Sequence, residues 1–246
     1  MSFSDGKFAD IYSRVRPTYP AELYYWLSQQ VSSPGVAWDC GCGTGQASVD
    51  LAAYFEKVEA SDICESQIAK ATPHRKIHYQ VSPAEHTPYP DDYFDVICVA
   101  HAIHWFDLEA FWQEVCRVLK PGGIFVCWGY NGLEVGELED KAITEQVMPY
   151  LKDYWPPQNA LLWNDYKDIK FPFTPLEVPS FELTCSWSLT QMLDFIRSWS
   201  ASQLRIEDCG DGFLSEADAI LRAVWAEPTK KRDIRLPFFV KAGRVV

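Results

Sequence analysis

Residues 36–45 of this 246-residue chain read Val-Ala-Trp-Asp-Cys-Gly-Cys-Gly-Thr-Gly, a short apolar stretch that runs into three glycines at alternate positions. The Pro-Gly pair at 34–35 precedes it and favours a buried strand that begins at Val36. Glycine has no Cβ, so a glycine-rich turn bends sharply and lets a ligand approach the backbone closely. Apolar residues at helical spacing follow over 46–54. The segment therefore predicts a strand, a ligand-binding turn and a helix.

Strands and helices alternate along the chain from this turn as far as residue 130. The predicted strands are 36–39, 57–63, 77–81, 94–100 and 124–128, and the predicted helices are 46–54, 65–71 and 108–119. This alternation predicts a Rossmann-like α/β fold, in which a doubly wound, mostly parallel sheet carries helices on both faces. Ligands of such sheets bind beyond the carboxyl ends of the strands. We therefore expect the functional residues directly after the first four strands.

The pattern changes after residue 130. The sequence predicts helices at 134–154, 189–200 and 216–226, an extended segment at 171–179, and strands at 181–187 and 234–240. The last strand is expected to be antiparallel, and Pro237 within it suits an edge position. We interpret residues 1–246 as one domain, with a core at about 8–130 plus the C-terminal strands. Residues 131–230 then form a helical and aromatic insertion.

The chain is acidic, with 22 Lys and Arg residues against 34 Asp and Glu residues, which gives a net charge of −12. An acidic surface repels phosphate backbones, so nucleic acid is disfavoured as a partner. With 48% apolar residues, the chain can bury a sizeable core. No apolar run approaches the roughly 20 residues of a membrane-spanning helix. We expect a soluble protein without a membrane partner.

The N-terminal ten residues lack the apolar core of a signal peptide. We therefore expect a cytoplasmic protein, in which the eight cysteines remain free thiols. The nearest approach to a metal-binding cluster is Cys98, His101 and His104, but no fourth ligand is close in sequence. We expect no metal site.

Two carboxylates define the ligand expected at the glycine turn. Asp39 precedes the first glycine by two residues, where a negative charge would repel phosphate but suit an ammonium or sulfonium group. Asp62 ends the second predicted strand, 17 residues after Gly45, and an acid at that place accepts hydrogen bonds from ribose hydroxyls. The expected ligand has an adenosine-like sugar, no phosphate and a cationic amino-acid part. S-adenosylmethionine meets all three requirements.

Three motifs resemble those of a known family. Residues 39–45, Asp-Cys-Gly-Cys-Gly-Thr-Gly, resemble the first motif of the class I S-adenosylmethionine-dependent methyltransferases. Residues 93–106 are similar to the fourth-strand motif of their small-molecule branch, and Val-Leu-Lys-Pro-Gly-Gly at 118–123 resembles its turn before strand five. The resemblance covers roughly residues 8–130. It implies an enzyme that uses S-adenosylmethionine and releases S-adenosylhomocysteine.

A narrower resemblance is to the trans-aconitate methyltransferase-like enzymes. It rests on Tyr-x-x-x-Arg-Pro-x-Tyr-Pro at 12–20, His-Trp-Phe at 104–106 and Ser-Trp-Ser-Ala at 198–201. It implies that the methyl acceptor is a small carboxylic acid and that the product is a methyl ester.

The class resemblance also implies which residues bind the cofactor. They are Tyr12, Arg16, Asp39, Gly41, Gly43, Gly45, Asp62, Ile63, Ala84, Glu85, Ala100 and His101. In this assignment Asp39 lies near the methionine amino group, Asp62 binds the ribose, and Ile63 packs against the adenine. Tyr12 and Arg16 close over the cofactor, with Arg16 on the cofactor's carboxylate. The family often has a small residue where this chain has a cysteine between the first two glycines, which leaves the backbone geometry unchanged.

The need for a catalytic base depends on the acceptor. A carboxylate is already ionised, whereas a phenol or hydroxyl would require a base, for which His101 and His104 are candidates. An anionic acceptor needs a local cation in this acidic chain. The candidate cations are Arg14, Arg16, Arg197 and Arg205. We expect Trp105 and Trp199 to line the acceptor site, and most other tryptophans to pack in the core.

Other functions remain open at this point. The alternatives are methyl transfer to a hydroxyl, a phenol or RNA, a non-catalytic cofactor-binding scaffold, and a nicotinamide oxidoreductase. An adenine-specific nucleic-acid enzyme would carry Asn/Asp-Pro-Pro-aromatic after the fourth strand, where this chain has Ala-His-Ala-Ile at 100–103. The intact glycine turn disfavours a scaffold, and the position of Asp39 disfavours a nicotinamide cofactor.

Overall fold

A seven-stranded sheet organises the protein, which a computed structural model describes over residues 16–245. The strands are β1 (Val36–Cys40), β2 (Lys57–Asp62), β3 (Ile77–Val81), β4 (Phe94–Ala100), β5 (Leu119–Tyr130), β6 (Thr174–Pro175), β7 (Leu183–Trp187), β8 (Arg232–Leu236) and β9 (Phe238–Arg244). Their order in the sheet is β3-β2-β1-β4-β5-β9-β6. Strands β1 to β5 pair in parallel, and β9 pairs antiparallel with β5. The predicted doubly wound, mostly parallel sheet with an antiparallel last strand is confirmed.

Helices connect and cover these strands. They are α1 (Ala21–Gln29), α2 (Gln46–Tyr54), α3 (Glu65–Ile68), α4 (Leu108–Val118), α5 (Glu137–Ala142), α6 (Asn159–Trp163), α7 (Leu189–Arg197), α8 (Ser200–Cys209) and α9 (Gly212–Trp225). One buried cluster around Trp38 and another around Trp128 pack between helices and opposite faces of the sheet. A third cluster, which contains Phe195 and Trp225, forms the core of the insertion. Within the described residues, none of the helices is both long and apolar enough to cross a bilayer.

The first half of the chain matches its predicted elements closely, except around the Pro-Gly-Gly break at 121–123. The helix α4 ends at Val118, and β5 starts at Leu119, earlier than predicted. The Pro-Gly-Gly turn within β5 shifts the register against β4, so that Leu119 pairs with Phe94 while Ile124 pairs with Val96. The extra residues form a bulge in which Gly122 takes a φ of +76°.

The single last strand predicted at 234–240 is wrong. Pro237 divides it into β8, which pairs with β7 in a separate two-stranded sheet, and β9, which joins the main sheet. Proline has no N–H to donate to a strand ladder, so it falls between the two strands rather than inside one.

The helices of the insertion also depart from the prediction. The helix predicted at 134–154 is α5 followed by a π turn (Ile143–Val147) and a 3-10 turn (Met148–Tyr150). The helix predicted at 189–200 ends at Arg197, and extended backbone at Trp199 precedes a further helix, α8, which the sequence analysis missed. The polar composition of α8 hides its periodicity. Ser188 caps the N-terminus of α7, because its hydroxyl accepts a hydrogen bond from the Gln191 N–H.

Candidate active site

The glycine turn sits at the carboxyl end of β1 in left-handed backbone. Gly41, Gly43 and Gly45 have φ values of +72°, +55° and +82°. The Gly41 N–H donates to the Ser61 carbonyl over 2.8 Å, which ties the turn to the end of β2. A Cβ placed on Gly41 would lie 2.8 Å from the Cβ of Ala102, in the segment after β4. At Gly41 the turn therefore has no room for a side chain and presents bare backbone.

Asp62 joins the turn to β2. Its Oδ2 accepts a hydrogen bond from the Gly43 N–H at 2.9 Å, and its Oδ1 accepts one from the Cys64 N–H at 2.8 Å. Burial raises the pKa of this carboxyl, although the two hydrogen bonds oppose the shift. Each oxygen keeps a lone pair for a ribose hydroxyl. The next side chain, Ile63, is 75% exposed and offers an apolar surface of the kind that an adenine ring would cover.

Asp39 is fully buried below the turn. Its Oδ2 accepts a hydrogen bond from the Ser48 hydroxyl at 2.5 Å, whereas its Oδ1 has no partner among the described residues. Burial raises the pKa of Asp39 to about 7, against the Ser48 hydrogen bond, and the charge of Asp62 adds to the shift. A buried carboxylate with one unpartnered oxygen would be stabilised by a cationic ligand group.

The loop after β3, which carries Ala84 and Glu85, is held by helix α4. The Glu114 carboxylate of that helix accepts hydrogen bonds from the Thr87 N–H at 2.8 Å and from the Thr87 hydroxyl at 2.5 Å. Arg117 donates to Glu114 as well, at 2.6 and 2.9 Å. Burial would raise the pKa of Glu114, but the hydrogen bonds from Arg117 and Thr87 outweigh it and hold this pKa below its usual value.

Two histidines follow β4 at the carboxyl edge of the sheet. His101 has a φ of +56° and stacks on the Tyr130 ring with 4.3 Å between centroids. The Nδ1 of His104 lies 2.9 Å from the Tyr166 hydroxyl. Burial, with the nearby charge of Arg16, lowers the pKa of His104 to about 3 and that of His101 well below its usual value. Both rings are therefore neutral at physiological pH and are weak proton acceptors.

Arg16 lines the same cavity as these two histidines. Its guanidinium donates to the Tyr130 hydroxyl and, over 3.2 Å, to the Ser198 carbonyl. Its own carbonyl accepts a hydrogen bond from the Gln46 side chain at the start of α2. The arginine therefore links the sheet, the cofactor-side helix and the insertion.

A cavity of about 270 Å³ lies between this edge of the sheet and the insertion, and Arg16, His101 and His104 all line it. Its walls combine aromatic, aliphatic and polar side chains. The aromatic residues that line it are Trp105, Tyr130, Trp155, Trp163, Phe195 and Trp199. Trp105 and Trp199, which were expected to line the acceptor site, both line this cavity, and Trp128 and Trp225 are core residues as expected.

Two of the four candidate arginines lie away from the cavity. Arg197 pairs with Asp211 at 3.0 Å, and Arg205 packs over aromatic rings, so neither lines the cavity. Tyr12 and Arg14 lie outside the described residues. Trp163 was expected in the core but is 46% exposed at the cavity. Sequence reasoning also missed Asn159 and Tyr166, which belong to no motif and meet the site only through the tertiary fold.

The cofactor-side residues fit S-adenosylmethionine. The turn admits no Cβ at Gly41, Asp62 retains acceptor capacity beside the exposed Ile63, and Asp39 has a buried oxygen without a partner in the described chain. Among residues 16–245, no group of three or more His, Cys, Asp or Glu side chains is arranged to hold a metal ion. The arrangement suits an adenosine-containing cation next to a separate aromatic cavity.

Sequence comparison places the chain among methyltransferases. A family described as a methyltransferase domain matches residues 38–127. A Dictyostelium discoideum protein named as a methyltransferase is 33% identical over 203 residues, which cover 80% of this chain and 77% of that protein. A Saccharomyces cerevisiae protein named as an S-adenosylmethionine-dependent methyltransferase is 25% identical over 225 residues, which cover 77% of each chain.

Structural comparison agrees. A solved structure from Anaeromyxobacter dehalogenans, described as a type II methyltransferase, is similar to this chain with a TM-score of 0.85. The two sequences are 37% identical, and the match covers 94% of this chain and 98% of the other. With the glycine turn and strand-end acid already described, these matches identify the family. The chain belongs to the class I S-adenosylmethionine-dependent methyltransferases.

Proposed function

We propose that the protein transfers the methyl group of S-adenosylmethionine to the carboxylate of a small molecule, which gives a methyl ester and S-adenosylhomocysteine. The observation that carries this proposal is the placement of the Arg16 guanidinium in an aromatic cavity beside the carboxyl end of β4. Guanidinium pairs with carboxylate through directed hydrogen bonds. A carboxylate acceptor would accept such hydrogen bonds from the Arg16 side chain.

The cofactor would be held by the glycine turn, with Asp62 on the ribose, Ile63 against the adenine and Asp39 near the amino group. When bound, it supplies a methyl carbon on a positively charged sulfur. Ala84, Glu85 and Ala100 would border it from the loops after β3 and β4. The remaining catalytic work is then to hold the acceptor oxygen in line with that methyl group, since positioning contributes up to roughly 7–11 kcal/mol in favourable cases.

The electrostatics of the cavity favour an acceptor that is already ionised. In the reaction a carboxylate oxygen forms a bond to the methyl carbon, and the carbon–sulfur bond breaks with its electron pair retained on sulfur. The two opposite charges disappear together, so dry aromatic walls assist the reaction. A hydroxyl acceptor would have to lose a proton, and His101 and His104 are poorly basic in this environment.

The proposal is tested with S-adenosylmethionine that carries a labelled methyl group and a panel of small acids, phenols and alcohols. We expect labelled product from acids, and its label should be released as methanol by mild alkali because it is an ester. A product whose label resists alkali would show an ether or a methylated carbon and would overturn the assignment. The control is Asp62→Ala, which should weaken S-adenosylhomocysteine binding in a melting assay.

A further inference from the structure

The cavity contains a buried polar side chain that the proposed reaction does not use. Asn159, the first residue of α6, is 4% exposed and belongs to the cavity wall. Its Oδ1 is buried and has no hydrogen-bond partner among residues 16–245. Burying a polar atom without a partner is unfavourable, so a ligand that supplies a donor would gain binding energy there.

The walls near Asn159 offer flat aromatic surfaces. The Trp155 ring meets Trp163 edge-on, with centroids 5.5 Å apart at an angle of 76°, and lies 5.9 Å from Trp199. Aromatic pairs favour centroid separations of about 4.5–7 Å in offset or edge-to-face geometry. Trp163 also keeps 46% of its surface exposed. A planar ring in the cavity would find stacking and edge partners already in place.

The charges of the cavity complement this surface. Arg16 contributes a cation that is oriented by the Tyr130 hydroxyl and the Ser198 carbonyl. Asp140 also lines the cavity, but its Oδ1 accepts a hydrogen bond from the Val135 N–H at 2.8 Å. The aromatic side chains suit a ring, the guanidinium suits a carboxylate, and the unpartnered amide oxygen suits a hydrogen-bond donor. A single ligand that carries these three groups would match the cavity.

Building on the proposed ester-forming reaction, we propose that the acceptor is a ring-bearing carboxylic acid that also carries an N–H or O–H group. Its carboxylate lies against Arg16, its ring packs among Trp155, Trp163 and Trp199, and its donor group bonds to the Oδ1 of Asn159. Asn159 then determines which ring acids are accepted. A site built to hydrogen-bond a substrate group rejects analogues without it, because its own polar atom is left unpaired.

The test uses the hydroxybenzoates and aminobenzoates as probes, each against its O-methyl or N,N-dimethyl counterpart, with hexanoate as an aliphatic comparison. Binding is measured by quenching of tryptophan fluorescence in the presence of S-adenosylhomocysteine, and ester formation is measured separately. We expect at least one donor-bearing ring acid to bind about tenfold more tightly than its capped counterpart. Asn159→Leu should reduce this preference to less than about threefold while retaining affinity for the capped acid.

Thr144→Val is the matched control, because it removes another polar group from the same cavity and should leave the preference unchanged. Asn159→Ala serves as a second variant if the leucine side chain prevents folding. Equal binding of capped and uncapped acids, or a preference that survives in both Asn159 variants, would overturn the role of Asn159. Esters formed from hexanoate but from no ring acid would overturn the ring-acid assignment and leave the proposed reaction standing. Ring acids that bind with the expected preference but yield no ester would overturn only the reaction.

Discussion

The phenol oxygen of Tyr166 lies 2.9 Å from the Nδ1 of His104, so the insertion holds a histidine of the sheet edge in place. Tyr166 is fully buried and has a φ of +55°, a conformation that bulky residues rarely adopt. Such strain persists only where the surrounding structure imposes it. The Tyr166 hydroxyl therefore holds the His104 ring, which lines the cavity, in one orientation.

Tyr166→Phe should remove this constraint. The buried Nδ1 would lose its partner, which we expect to lower the free energy of unfolding by about 1–3 kcal/mol. Histidine ¹⁵N spectra should show one His104 tautomer in the wild type and a mixture in the variant. Tyr93→Phe is the control, since its hydroxyl contacts Lys57 and Glu59 away from the cavity. An unchanged His104 spectrum would refute the positioning role of Tyr166.

Cofactor binding should depend on pH through Asp39. Its pKa of about 7 means that the free protein is partly protonated there near neutrality, whereas a bound ammonium group would favour the ionised form. Affinity for S-adenosylhomocysteine should therefore rise with pH up to about 7 and then level off. Calorimetry in buffers of different ionisation enthalpy should detect proton release at pH 6, and Asp39→Asn should abolish it. Equal proton release by this variant would assign the effect to another group.

The same carboxyl should influence stability in the opposite direction. Because its pKa is raised in the folded protein, its contribution is fully present below the unfolded value of about 3.9 and is lost as pH rises through 7. The free energy of unfolding of Asp39→Asn, relative to that of the wild type, should therefore increase by on the order of 2–3 kcal/mol between pH 5 and pH 8. Urea unfolding at both pH values measures this gain. A constant difference between the two proteins would contradict the shifted pKa.

Gly41→Ala should weaken the cofactor site more than the strain of its positive φ alone would. Gly41 and Gly122 have similar φ values, +72° and +76°, but only the Gly41 Cβ would meet a neighbour among the described residues, Ala102 at 2.8 Å. Gly122→Ala should lower the free energy of unfolding by about 1–2 kcal/mol and leave the affinity for S-adenosylhomocysteine unchanged. Gly41→Ala should lower the free energy of unfolding further and weaken that affinity at least about tenfold. Thermal melts with and without ligand make the comparison, and equal effects at both positions would argue against a close-packed turn.

Glu114→Gln tests the support of the loop that carries Ala84 and Glu85. The amide keeps an acceptor for Thr87 but loses the charge that pairs with Arg117. We therefore expect the free energy of unfolding to fall by about 1–3 kcal/mol at pH 7. Because the pKa of Glu114 is lowered, its stabilisation is present above the unfolded value of about 4.3 and is lost as pH falls through the folded value. The difference between wild type and variant in the free energy of unfolding, measured with urea, should therefore become smaller below about pH 4. Asp91→Asn, at the exposed partner of Arg117, should have a smaller effect. A difference that stays constant with pH would exclude the charge of Glu114 as its origin.

The sequence predicted the glycine turn and the end of β2 well, because both follow from local rules. The glycines of the turn need left-handed backbone, and Asp62 must end a strand, so each signal is visible within a few residues. Asn159 and Tyr166 carry no such signal, since their roles arise from contacts across the fold. Trp199 broke a helix that periodicity alone would continue, and Pro237 marked a change of sheet that appeared in sequence as one strand.

The Asn131 N–H donates to the Pro237 carbonyl at 2.9 Å, and the neighbouring Tyr130 and Phe238 face each other across β5 and β9. The chain therefore leaves the main sheet after Tyr130 and rejoins it beside that point at Phe238, and in between β6 adds two residues at the edge of the sheet, next to β9. A segment whose two ends meet in this way can diverge in evolution without moving the strands that carry the glycine turn. Substitutions in this segment can thus reshape the cavity while the paired ends of β5 and β9 that frame it stay in place.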